Sequence, residues 1–345
     1  MVYAGALGAG YVMSWLRVPM PWMIGPMVLA GVFGTVGYSI NPPTITRAVG
    51  QTVVAGVVGL SFTPSSLAVV AEQIVPMVAV AVMTIVAGFV VAAVLMRLSR
   101  IDVVSASIAS IPAGPVEMAA LAVQHGVAPG PVAFAQTLRI SLLVLILPPV
   151  LVTIDKGFAD PALVLTGGDG SPLGAALLIS IAAAGGILFR YVGISNAFFL
   201  GPLSLTAIAS ALALPVSVPP DWVMAGAQIL LGVWLGSMFD REMLSRSPGF
   251  VPAACVSTAL LLGLCVVMAF VVSALTGIDW RTMVLAAAPG SVTEMALTAK
   301  ILQQDVAMVT AFHVIRIFII IPAAPLIFAI TARLANRSSG GDEDG

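Results

Sequence analysis

Of the chain's 345 residues 60% are hydrophobic and only 8% charged, with a net charge of −1 and a mean hydropathy of +1.11. Soluble domains carry about 25% charged residues, so fourteen basic and fifteen acidic side chains cannot clothe a water-facing globule of this size. The near-neutral balance leaves no basic face for phosphates and excludes nucleic acid as a partner. A lipid bilayer is the expected surrounding.

About 20 consecutive apolar residues cross a bilayer core, and the chain reads as a series of such segments. In the first half they cover 2–16, 20–40, 48–68, 73–97, 102–126 and 131–153. In the second they cover 173–191, 197–214, 222–243, 249–276, 279–303 and 306–331. The first run stops at Arg17 and lacks the charged start of a signal peptide. It is short for a span, which implies either a start further upstream or a shallow helix. Residues 155–172, rich in Gly, Asp and Pro, read as a connecting loop, and 334–345 as a disordered polar tail. Cys255 and Cys265 lie roughly 15 Å apart along one helix, too far for a disulfide, and read as small core residues.

Shifting the chain against itself by 177 residues exposes a duplication. Gln51 meets Gln228, Gly59 meets Gly236, Phe62 meets Phe239 and Leu67 meets Leu244. Ile101-Asp102 meets Ile278-Asp279, Pro112 meets Pro289, and Glu117-Met118-Ala119 meets Glu294-Met295-Ala296. Arg139 meets Arg316 and Pro148 meets Pro325, while Gly25-Pro26 meets Gly201-Pro202 at a shift of 176. Scarce residue types do not coincide in this way by chance. The expected units are 1–154 and 173–333.

The fifth segment of each unit carries prolines, glycines and a glutamate. Proline removes a donor and clashes with the preceding turn, so Pro112, Gly114 and Pro115 in one unit, and Pro289, Gly290 and Ser291 in the other, predict broken or re-entrant helices. Backbone groups freed at membrane depth need protein or cavity water as partners. If the broken segments return to their own side, each unit crosses five times and the second is inverted; if they span, each crosses six times and the copies are parallel. With Arg139, Arg316 and Lys300 set aside, the five-crossing arrangement puts eight basic residues inside and three outside, against seven and four for the other. The positive-inside rule thus leans towards inverted repeats. The expected fold is an all-α polytopic membrane protein of about ten spans with two broken segments.

Glu117 and Glu294 follow the breaks, near half-helix N-termini that favour negative charge. Intramembrane acids mark substrate or ion pathways, and the simpler reading is that each caps its own half-helix. Arg139 and Arg316 lie in the next apolar helices and require partners; the two glutamates are the obvious acids, as latches, and an anionic substrate is the alternative. His313 stands one turn before Arg316, where the first half has Gln136. It reads as a proton relay or an interhelical hydrogen bond. Gln51 and Gln228, in Gly-rich helices, read as polar glue between close backbones, and Lys300 and Asp305 as interfacial. Two histidines, His125 and His313, with two distant cysteines assemble no copper or zinc site. No metal, cofactor or enzymatic motif is expected.

The paired "GP", "GQ…G…G", "P-x-G-x-x-E-M" and "R-I" strips, above all "IPAGPVEMAAL" and "APGSVTEMALTA", resemble the AbrB-type duplicated membrane proteins. The resemblance covers nearly the whole chain, to about residue 333. It implies a bacterial inner-membrane protein with two AbrB-duplication domains; members of that family are labelled putative transporter, regulator of gene expression or "ammonia monooxygenase". Missing metal ligands count against the last label. The expectation is a secondary transporter of a small, anionic solute, coupled to protons or cations, with the bilayer, the solute and further copies of the chain as partners. The alternative is a membrane-embedded sensor that affects gene expression indirectly.

Overall fold

The computed structural model describes residues 2–99, 101–124, 126–154, 171–239, 241 and 249–339. His125, the basic residues Arg100, Lys156 and Arg246, and almost all of the 155–172 loop lie outside them. Every regular element among the described residues is helical. In the first half these are α1 (Val2–Trp15), α2 (Pro21–Val36), α3 (Thr44–Gly59), α4 (Pro64–Glu72), α5 (Ile74–Ser99), α6 (Val103–Ser110), α7 (Pro115–Gln124) and α8 (Pro129–Ile154). The second half contributes α9 (Pro172–Tyr191), α10 (Ala197–Ala211), α11 (Asp221–Gly236), α12 (Phe250–Thr276), α13 (Trp280–Ala287), α14 (Val292–Ile301) and α15 (Val306–Ser339). α15 runs through the start of the expected polar tail to Ser339, and residues 340–345 lie outside the description.

Five helices, α5, α8, α9, α12 and α15, are long and apolar enough to cross a membrane, and α3 with α4 makes a sixth if that bent pair is one span. The shortfall from about ten lies in α1, α2, α3, α10 and α11, of 14 to 16 residues. At 1.5 Å per residue they reach about 21–24 Å, short of a core of about 30 Å. On α5, Val75, Val78, Val82, Val86 and Val90 are 41–78% exposed, while Met77, Val80, Ala81 and Gly88 are buried. A helix apolar on both faces belongs in a core or a bilayer, and the exposed stripe suits lipid.

Two local devices set where helices start. Thr63 accepts from the Ser66 amide at 3.3 Å and Pro64 opens α4, a standard helix start. It divides the expected 48–68 run, and α4 leaves α3 at 92°. Asp102 and Asp279, paired by the repeat, cap α6 and α13 by accepting from Ser105 and Arg281 amides, both at 2.8 Å.

The described helices gather into two compact units that cut across the sequence halves. The first takes residues 1–73, 144–241 and 292–310: α1–α4, the end of α8, α9–α11, α14 and the start of α15. The second takes 74–143, 242–291 and 311–345: α5–α7, most of α8, α12, α13 and the rest of α15.

Within the first unit, close backbone approaches fix the sense of each helix pair. A side chain on Gly59 would meet the Leu203 carbonyl at 3.0 Å, Thr52 donates to the Phe198 carbonyl at 3.5 Å, and Ser210 donates to the Leu60 carbonyl at 3.2 Å. Numbers rise together, so α3 and α10 run the same way. Their repeat counterparts do likewise: Gly232 sits over the Met23 carbonyl and Gly236 over the Met27 carbonyl, on α11 and α2. α3 against α11 is the reverse. Gly50 packs on Leu231 and the Arg47 guanidinium lies 4.3 Å over the Trp234 ring, so one number falls as the other rises. α1 opposes α2 (Gly5 on Leu29, Gly10 on Trp22) and α9 opposes α10 (Gly185 on Gly201, Gly186 on Phe198). Small residues at these crossings let backbones touch, as helix packing in membranes requires.

Candidate functional site

Both expected helix breaks are present. α6 stops at Ser110 and α7 starts at Pro115; α13 stops at Ala287 and α14 starts at Val292. Each proline has a specific consequence. Lacking an N–H, Pro112 leaves the Ile108 carbonyl without its helical partner, and Pro289 does the same to Leu285, four residues earlier in each case. A side chain from the following long helix replaces the missing donor. Gln136 Nε2 donates to the Ile108 carbonyl at 2.9 Å and to Ile111 at 2.8 Å. His313 Nε2 lies 2.9 Å from the Leu285 carbonyl.

The arginine one turn on extends each graft. Arg139 Nη1 donates to the Ser110 carbonyl at 3.1 Å and Nη2 to Gln136 Oε1. Arg316 Nη1 donates to Ala288 and Nη2 to Gly290, both at 2.7 Å, and Nη2 lies 2.6 Å from His313 Nδ1. An arginine is always a donor. His313 Nδ1 must therefore accept and Nε2 must carry the proton, which fixes a neutral tautomer while these bonds last. All four side chains are buried: Gln136 and His313 at 0%, Arg139 at 3% and Arg316 at 5% exposure. Arg139, Arg316 and the buried thiol Cys265 are near enough to act on one another electrostatically. Positive charge beside helix C-terminal carbonyls is favourable.

The carboxylates sit differently. Glu117, in the first turn of α7, is half-buried and folds its carboxylate back over Gly114, against the space a Cβ there would occupy. Its Oε2 is buried and has no hydrogen-bond partner among the described residues. Among the described residues no ion pair joins Glu117 to Arg139, which takes backbone carbonyls in place of the expected acid. Glu294 is 6% exposed in α14, and the two glutamates fall in different compact units. Ser291 precedes α14 and closes the second unit's share of that break. Gln51 and Gln228 are buried in α3 and α11. Lys300 and Asp305 flank the turn between α14 and α15.

Sequence reasoning missed what the arginines hold. The signal was present, since Pro112 and Pro289 name the orphaned carbonyls by the four-residue rule, and Gln136 and His313 are the donors at one repeat shift.

Apolar helices of membrane-crossing length, with interrupted helices braced by buried cations, define a membrane-protein class rather than a soluble one. Residues 22–332 match the family described as Transition state regulatory protein AbrB, and the chain belongs to that family. It is 24% identical over 340 residues to "Putative regulator AbrB" of Escherichia coli (strain K12), covering 94% of this chain and 93% of the relative. It is also 24% identical over 348 residues to "Uncharacterized protein YhjN" of Bacillus subtilis (strain 168), covering 94% of this chain and 91% of the relative.

Proposed function

We propose that the protein is a secondary transporter of the bacterial inner membrane, moving a small anionic solute by alternating access between inverted repeats. The observation that carries this reading is the pair of equivalent helix breaks, each with freed backbone and buried charge. Discontinuous helices of this kind form the sites of transporters built from inverted repeats. The helix senses support inversion. α3 follows α10, α11 follows α2, and α3 opposes α11, so α2 opposes α10, and α1 opposes α9. Opposed counterparts require an odd number of crossings between them. Five per half, α1, α2, α3, α5 and α8, meets that condition if α6 and α7 enter and return on one side. In this reading Glu117 and Glu294 take protons or cations and Arg139 or Arg316 holds the anion.

A membrane-embedded sensor is the second reading, favoured by the regulator name of the Escherichia coli relative. The two part in one experiment. Purified protein in liposomes, under a proton or sodium gradient, is tested for uptake of small organic anions. Gradient-driven uptake that falls at least tenfold in Glu117→Gln or Glu294→Gln supports transport. Uptake indifferent to both substitutions removes the glutamates from the mechanism, and no uptake across a broad panel favours the sensor.

A further inference from the structure

The second compact unit carries more positive charge around its arginines than their described partners balance. Arg139 and Arg316 lie within electrostatic reach of each other, and among the described residues neither makes an ion pair. The carbonyl ends of α6 and α13 offset part of this. A helix C-terminus carries roughly half a negative charge, so the arginines' own contacts leave about one positive charge over; Glu117, half-buried at the first break, makes no ion pair with Arg139 among the described residues. A buried uncompensated charge is strongly unfavourable.

Beside that surplus are two buried donors without an acceptor. Among the described residues Arg139 Nε and Ser110 Oγ have no hydrogen-bond partner, and the two residues are 3% and 4% exposed. Both lie at the first helix break, where the Ser110 carbonyl accepts from Arg139 Nη1 at 3.1 Å. The Nε–H group donates only, and the hydroxyl can turn to donate. Buried donors of this kind need an acceptor. One surplus charge with two unpartnered donors at one break fits a single carboxylate or a halide better than a dianion. The second break lacks the arrangement: Ala287 stands where the first has Ser110, and Arg316 spends its terminal nitrogens on Ala288, Gly290 and His313.

We infer that Ser110 Oγ–H and Arg139 Nε–H form a subsite for one monovalent anion at the first helix break, with no counterpart at the second. As the seat of the transported solute the subsite rests on the transport reading; as an anion site it stands without it.

The test uses the full chain in detergent, titrated with sodium acetate, sodium bromide and sodium sulfate at constant ionic strength, with thermal unfolding followed by tryptophan fluorescence. Acetate or bromide should stabilise saturably and sulfate should not. Ser110→Ala should raise the half-saturating concentration about tenfold, in line with loss of a hydrogen bond to a charged group. Arg139→Lys should abolish saturation, and Ala287→Ser should leave it unchanged. The small Ser110→Ala change keeps the test decisive if Arg139→Lys fails to fold. A non-saturating salt response, identical in the parent and Ser110→Ala, overturns the subsite. Saturable, Ser110-dependent binding without uptake of any anion in liposomes keeps the subsite and removes transport. Anion uptake unchanged by Ser110→Ala keeps transport and removes the subsite as the seat of the transported solute.

Discussion

Gln136 and His313 each place a donor on the carbonyl orphaned by a proline and an acceptor beneath an arginine. An amide and an imidazole are different chemistry with the same two hydrogen-bonding ends, which is why the repeat tolerates the exchange. His313→Gln should therefore keep thermal stability within about 1 kcal/mol of the parent, since both bonds can be remade. His313→Leu strands the Leu285 carbonyl and one Arg316 N–H in a dry interior. Each orphan costs about 1–3 kcal/mol, so a clear drop in unfolding temperature in detergent is expected. Equal stability for the leucine variant would show that these bonds are not what closes the break. At this scale the sequence reveals which residues matter better than what they touch. The scarcity of Glu117, Glu294, Arg139 and Arg316 in an apolar chain marks them. The acceptors that occupy Arg139 are backbone carbonyls, which every residue has and no composition betrays.

The elements repeat in backbone conformation as well as in residue type. Left-handed positions recur in pairs: Arg17 with Gly193, Met20 with Asn196 and Gly37 with Ala213 at a shift of 176, and Gly126 with Gln303 at 177. The fold demands a positive φ at these points, from 52° at Gln303 to 106° at Gly37, whatever residue stands there. An L residue other than glycine pays about 1–2 kcal/mol for that conformation. Ala213, exposed after α10 at φ 53°, is the clearest case, because its counterpart Gly37 is already glycine. Ala213→Gly should gain about 0.5–1 kcal/mol net of the added freedom of the unfolded chain, seen as a higher unfolding temperature. No change, or a lower one, would mean that the backbone there is not held left-handed. Element positions were largely legible, since the apolar runs 73–97 and 249–276 correspond to α5 and α12. The 92° turn into α4 was not, because the run 48–68 stays apolar through it. The Thr63-Pro64 start signal was local and outweighed by hydropathy.

For the whole molecule, the duplication is written plainly in the sequence, but how the copies assemble is not. Each compact unit draws on both halves, because α3 packs on α10 and α11 on α2 rather than each keeping to its own copy. Such exchange depends on side-chain fit between glycines and backbone, such as Gly59 over Leu203 and Gly236 over Met27, which no periodicity predicts. Basic residues gave only a narrow vote on orientation, eight against three compared with seven against four. The opposed senses of α3 and α11 bear on it far more directly.

The account stands on that opposition continuing across a membrane, so sidedness is the measurement to make. Thr44 and Asp221 begin α3 and α11 at equivalent, exposed positions. In a chain with Cys255 and Cys265 replaced by alanine, Thr44→Cys and Asp221→Cys are labelled separately in intact cells with a membrane-impermeant maleimide. Inverted repeats predict that only one of the two reacts until the membrane is opened. Labelling of both from the same side would contradict the inverted arrangement and, with it, the alternating-access mechanism proposed for the two helix breaks.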